Sequence, residues 1–120
     1  MKIEGTGKLL RIYIGTQDRY RGKPLCEVIL HKAHDMGMAG ATIIRGTEGF
    51  GANSRVIHKA AILRLAEDLP LLIEIVDTEK RIALAVREFE SLIEQADSGA
   101  LMTLETVEII RYRTGKTDEK

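Results

Sequence analysis

Pro70-Leu-Leu-Ile-Glu-Ile-Val76, followed by Asp77-Thr78 and then Glu79-Lys-Arg-Ile-Ala-Leu-Ala-Val-Arg-Glu-Phe-Glu-Ser-Leu-Ile-Glu-Gln95, decides the fold. The first seven residues are almost continuously apolar, as expected of a strand buried on both faces. Asp77 and Thr78 are both cap-type residues. Beyond them Ile82, Ala85, Val86, Phe89, Leu92, Ile93 and Ala96 recur at helical spacing. Charged residues, among them Glu88, Glu90 and Glu94, fill the opposite, solvated face. Asp97-Ser-Gly99 ends the pattern. The stretch therefore predicts a strand, a cap and an amphipathic helix.

The same order lies on either side of it. Thr103 to Arg113 alternates again, with Leu104, Val107, Ile109 and Ile110 among polar residues. Toward the N-terminus, Leu9 to Ile14 is a strand by its β-branched and aromatic content. Leu10, Ile12 and Ile14 share one face, and Leu9, Arg11 and Tyr13 the other. Gly15 to Lys23 is polar and ends it. Pro24 suits the first turn of a helix. Leu25, Val28, Ile29, Ala33 and Met36 then repeat at helical spacing, and Gly37 is a left-handed stop. A strand over 41–46 feeds a glycine-rich loop, 46–59. Val56 to Ala66 fits a short helix or a ragged strand, and periodicity leaves both open. Residues 1–7 read as a loose lead-in and 114–120 as a charged tail.

Two strand-helix-strand halves joined by a loop predict an α+β fold. It is a ferredoxin-like βαββαβ sandwich with a four-stranded antiparallel sheet and two helices on one face. At 120 residues the chain suits one domain, with its core over about 8–113. Two helices cover one face of a sheet whose strands are apolar on both, so oligomerisation through the open face is expected.

Lys+Arg and Asp+Glu are equal at 18 each, a balance that argues against a general nucleic-acid binder. Cys26 is the single cysteine, so an internal disulfide is ruled out and a reducing compartment fits. Met1 to Gly7 lacks the apolar core of a signal peptide, and a cytoplasmic protein is the expectation. With no Trp, three Tyr and two Phe, platforms for stacking bases are scarce.

The chemistry concentrates in two places. Gly37 to Lys59 carries Gly46, Gly49 and Gly51 around Phe50, with Arg45, Asn53, Ser54 and Arg55 nearby. Glycines expose backbone N–H groups and arginines suit an anion. The competing reading is a long hairpin that needs glycine only for its turns. The second place is Arg111 and Arg113, two apart on a strand and so on one face, followed by Thr114-Gly115-Lys116. Paired guanidiniums suit phosphate. The competing reading pairs them with surface carboxylates such as Glu105 or Glu108. His31 and His34, one helical turn apart beside Asp35, lack a further ligand at metal-site spacing. Ser54 and His58 lack an orienting acid or oxyanion motif, so no catalytic residue is assigned. Cys26 sits beside an apolar stripe and reads as buried rather than reactive.

Gly37-x-x-Gly40-x-Thr42, Gly49-Phe-Gly51 and Arg111-Tyr-Arg-Thr-Gly115 resemble segments of the PII signal-transduction proteins. From Lys8 to Lys116 the chain is more similar still to the PII-like family called domain of unknown function 190. Gly22-Lys-Pro-Leu25, Ala39-Gly-Ala-Thr42, Arg45-Gly46, Gly49-Phe-Gly51 and Asp68-Leu-Pro70 with Ile73-Glu-Ile-Val-Asp77 carry that similarity. The resemblance implies a homotrimer with ligand clefts between subunits and an adenine nucleotide as ligand. It also implies a loop after Gly49-Phe-Gly51 that reports the bound state to a partner, in PII proteins an enzyme or membrane transporter. By position, Arg111 and Arg113 match phosphate-contacting arginines. Arg45, Gly46, Gly49, Phe50, Gly51 and Asn53 are the remaining ligand-binding candidates. Asn53 stands where PII proteins carry a glutamine that helps hold magnesium and 2-oxoglutarate. Ser98-Gly-Ala-Leu-Met102 lacks their lysine-bearing phosphate loop. A smaller adenine nucleotide or another anion thus stands open beside a triphosphate, and no cofactor or metal is required. The alternative is a trimeric adaptor without a ligand, docking a partner protein through its glycine-rich loop.

Overall fold

The computed structural model describes residues 2–52, 57–59 and 68–115. In chain order the elements are β1 (Lys2–Gly15), β2 (Arg19–Tyr20), β3 (Lys23–Pro24), α1 (Leu25–Asp35), β4 (Thr42–Arg45), β5 (Glu48–Gly49), β6 (His58–Lys59), β7 (Pro70–Asp77), α2 (Glu79–Gln95) and β8 (Leu101–Arg113). Four of the strands form one antiparallel sheet in the order β4-β7-β1-β8. That order and the two crossing helices make the ferredoxin-like sandwich expected from the repeated strand-helix-strand pattern.

Each element begins and ends for a local reason. α1 follows Pro24, whose fixed φ of −57° leads into the first turn. It closes at Gly37, which takes the left-handed φ of +71° and donates to the His34 carbonyl at 3.0 Å. Thr78 caps α2 by accepting from Arg81 N–H at 3.3 Å. Asp77, equally cap-like in sequence, is instead fully buried.

The core lies between the sheet and the helices. Leu10, Ile12 and Ile14 of β1 and Leu71, Ile73 and Ile75 of β7 meet Leu25, Ile29 and Ala33 of α1 and Ile82, Ala85 and Phe89 of α2. Each large apolar side chain buried there contributes about 1.5–3 kcal/mol of transfer free energy. β7 departs from the expected two-sided burial. Its core-facing residues are buried, but Leu72 and Glu74 are half-buried and Val76 is exposed, because both helices lie on one side.

The open face is nevertheless apolar in places. Tyr13 pairs with Leu72 and Leu101, Leu9 with Val76, and Ile44 with Leu72. Among them Arg11 is held by Glu74 at 3.0 Å and Glu105 at 2.7 Å.

The chain start also departs from expectation. Lys2 to Gly7 is not a loose lead-in; it pairs with the second half of β8, Lys2 opposite Arg113 and Gly7 opposite Val107. Its partner is about a hundred residues away, beyond the reach of any local signal. The 46–59 region contains a short hairpin, with Glu48 opposite Lys59 and Gly49 opposite His58. Asn53 to Val56, Ala60 to Ala66 and the tail from Lys116 lie outside the described residues, so the alternatives for 56–66 stand except that His58–Lys59 is extended.

Candidate functional site

The arginine end is built on overhanging β1 and β8. Past Asp77, which is opposite Lys8, β7 stops and the sheet narrows to a two-stranded ribbon. Arg111 and Arg113 are exposed there, as is Ile110 before them, and Tyr112 between the arginines is half-buried. The Tyr112 hydroxyl donates to the Ala39 carbonyl at 2.8 Å. Asp77 Oδ2 accepts from Ala39 N–H at 2.9 Å, and its Oδ1 accepts from Thr78 N–H at 2.7 Å. Arg81 donates to the Gly37 carbonyl and lies 3.7 Å from Asp77 Oδ2. The turn from α1 to β4 is thus gripped on both sides of Ala39. A cleft of about 320 Å³ opens beside it, lined by Thr42, Glu74, Val76, Ile109, Arg111 and Tyr112 together with the backbone of the turn. It offers one guanidinium, one carboxylate, backbone and apolar wall, a set able to bind a small polar molecule bearing an anionic group.

The glycine end is built on Pro70. Gly46 N–H donates to the Pro70 carbonyl at 2.7 Å. A Cβ on Gly46 would come within 2.7 Å of the Pro70 ring, and one on Gly49 within 3.4 Å. Gly51 has open space around it. Asp68 organises the neighbouring turn: its Oδ1 accepts from Gln17 N–H at 2.9 Å and occupies the space a Gly15 side chain would need. Thr16 locks the same turn, donating its N–H to the Leu69 carbonyl and accepting Leu69 N–H at its hydroxyl. A smaller cleft of about 160 Å³ lies here, bounded by Tyr13, Gly49, Phe50, Gly51, Pro70 and Leu101.

These two ends do not meet within one chain. Leu101, beside the glycine cleft, pairs with Tyr13, whereas Arg113 pairs with Lys2 at the far end of the same strands. Ten residues separate Leu101 from Arg111, which at about 3.3 Å per residue is roughly 30 Å. Arg45 joins neither cleft: it is exposed and opposite Leu71, on the helix side of the sheet. Asn53 lies outside the described residues.

The remaining candidates are dispersed. His31 and His34 are exposed, 3.9 Å from Glu27 and 3.8 Å from Asp35 respectively, and no metal-holding cluster occurs among the described residues. Cys26 is half-buried, and burial pushes its thiol pKa up, with Glu27 adding to the rise. The residues that sequence reasoning missed are Tyr112, Asp77 and the Ala39 peptide. The available signal was an aromatic hydroxyl between two arginines and a second cap-type residue where one suffices.

The comparisons with known proteins agree with this architecture. Residues 7–109 match the family DUF190, described as Uncharacterized ACR, COG1993, and the chain belongs to that family. A UPF0166 protein of Aquifex aeolicus is 34% identical over 103 residues, covering 86% of this chain and 92% of that one. Among solved structures, CPII of Thiomonas intermedia K12 superposes with a TM-score of 0.64 at 15% identity, over 91% of each chain. It is a nitrogen regulatory PII-like protein bound to ADP, AMP and bicarbonate. A putative PII-like signaling protein of Thermus thermophilus gives a TM-score of 0.62 at 14% identity, over 88% and 91% of the two chains. A phage SAM lyase bound to S-methyl-5'-thioadenosine shares the fold at a TM-score of 0.55 and 15% identity, over 92% and 90%. The fold is PII-like.

Proposed function

We propose that this protein is a cytoplasmic, trimeric PII-like regulator, without catalytic activity of its own. It binds a small anionic ligand, an adenine nucleotide such as ADP, in clefts between subunits. The glycine end of one subunit, Gly49-Phe-Gly51 with Asn53, meets the arginine end of its neighbour, Arg111 and Arg113. Ligand binding orders the 46–59 loop, and a partner protein, a membrane transporter or channel, reads the loop. A ligand that favours the ordered loop shifts the population toward it. The observation that carries this reading is that the arginine pair and the glycine motif stand at opposite ends of one chain's sheet, Arg111 being roughly 30 Å along β8 from Leu101 beside the glycine cleft. The half-covered open face, with Tyr13, Ile44, Val76 and Leu101 exposed, supports the association. Burying a few hundred Å² of such surface contributes several kcal/mol at about 25 cal/mol/Å². Nucleotides in a structural neighbour support the ligand class. The test is sedimentation with and without ADP, together with an ADP titration by calorimetry. A trimer that binds ADP is the expected result; a monomer at micromolar concentration, or a trimer indifferent to ADP and other adenine nucleotides, defeats it.

One observation favours a second reading, the ligand-free adaptor trimer. Pro70 demands glycine at position 46 whatever binds there, so that glycine is accounted for without a ligand. A thermal-shift screen across nucleotides and simple anions separates the two: an adaptor shows no stabilisation by any of them.

A further inference from the structure

The wall of the arginine cleft formed by Ala39 to Thr42 offers small side chains and a peptide backbone, so its shape depends on what holds that backbone. The ribbon does. Gly7 lets it cross closely over the end of β7: a Cβ there would lie 2.5 Å from the Ile109 side chain and 2.8 Å from the Asp77 carbonyl. Gly5 takes φ +99°, and between Ile3 and Gly5 the register shifts, Ile3 facing Tyr112 while Gly5 faces Ile109. Glu4 therefore opposes both Ile110 and Arg111. A bulge of this kind bends a strand and re-aims its side chains, and this one falls at the arginine that lines the cleft. The bent ribbon then delivers the Tyr112 hydroxyl to the Ala39 carbonyl, on the opposite side of the residue from the grip of buried Asp77 on its N–H.

We infer that Tyr112 is a positioning residue of the ligand cleft. Through Ala39 it latches the ribbon to the α1–β4 turn and sets the separation between Arg111 and the Gly40–Thr42 wall. This deepens the proposed function and rests on it for the identity of the ligand. It assigns to the residue between the two arginines, itself on the cleft wall, a role the exposed arginines do not fill: Tyr112 is the half-buried one of the three and bonds the Ala39 carbonyl.

Tyr112→Phe tests it, because it deletes one hydroxyl and keeps the ring, so the fold is retained. Two quantities are measured on the full chain: ADP affinity, and amide exchange across Ala39–Thr42 without ligand. The expectation is a loss of affinity of about fivefold, the worth of one neutral hydrogen bond, with exchange in the turn faster by a similar factor. Exchange in β7 and the sedimentation coefficient stay unchanged. Unaltered exchange in the turn overturns the latch. Faster exchange with unaltered ADP affinity overturns its role in binding. If the wild-type protein binds no adenine nucleotide, the functional reading fails and takes the binding role with it; the exchange measurement then decides the latch alone.

Discussion

The two ends of β7 are each organised by an aspartate, and they are organised differently. At the arginine end Asp77 is fully buried, accepts from Ala39 N–H and Thr78 N–H, and lies beside Arg81. At the glycine end Asp68 is half-buried, accepts from Gln17 N–H and leans on Gly15. One end is fixed by a buried carboxylate with a tyrosine latch above it. The other is fixed by a proline ring and the absence of side chains. Under the proposed function, the cleft that selects the ligand sits at the more deeply anchored end and the loop that orders on binding at the end with shallower anchors.

The largest expected effect breaks the rigid end. Asp77→Ala leaves the part-buried Ala39 and Thr78 N–H groups without their acceptor, a loss of about 2–6 kcal/mol at roughly 1–3 kcal/mol per unsatisfied group. Asp68→Ala removes a hydrogen bond that water replaces and should lose about 1 kcal/mol or less. Urea denaturation of the two variants measures the contrast. Equal losses would mean that the two ends are held alike.

Within the glycine end the contrast sharpens further. Gly46→Ala pushes a methyl group into the Pro70 ring and should cost about 1–3 kcal/mol, the usual penalty for overpacking. Gly51→Ala meets nothing within 4 Å and should stay within about 0.5 kcal/mol. Thermal melts compare them directly. If Gly51→Ala nevertheless abolishes ADP binding, Gly51 belongs to the ligand and Gly46 to the proline.

Affinity changes come next. Arg113→Ala should weaken ADP about tenfold or more, since hydrogen bonds to charged groups are worth roughly 1.5–3 kcal/mol. The melting temperature without ligand should hardly move. Arg113→Lys should recover only part of the loss, because an ammonium lacks the planar fork. Calorimetry reads both; wild-type affinity in the alanine variant would leave the arginines as solvated strand-end residues. The smallest effect is expected on the helix surface. Glu88→Ala removes an exposed ion pair with Lys32 at 3.3 Å and should change stability by no more than about 0.5 kcal/mol.

How far the sequence reaches depends on whether the signal is local. The helices were legible because their apolar residues repeat with the helical period, and Ile82, Ala85 and Phe89 are buried as that period requires. The strands of β1 and β7 were legible from alternation and β-branched content. Lys2–Gly7 was not, since its strand character comes from residues 107–113, and Gly5 and Gly7 carry loop chemistry into a bent ribbon. Asp77 and Thr78 compete for one cap, and only packing decides that Thr78 takes it while Asp77 turns inward to Ala39. The arginine pair was legible by spacing. Its distance from the glycines was not, because antiparallel pairing of β1 with β8 places the two motifs at opposite ends.

The central claim is that each cleft is shared between subunits, and mixing two defective chains tests it most directly. One chain carries Arg113→Ala and keeps its glycine end; the other carries Gly51→Glu, whose carboxylate repels an anion, and keeps its arginine end. Neither alone should bind ADP with wild-type affinity. Co-expressed, they should form trimers in which some clefts join an intact glycine end to an intact arginine end. Calorimetry should then recover wild-type affinity at a fraction of the sites. Absence of such sites in mixed trimers, where the wild-type trimer binds ADP, would contradict the shared cleft.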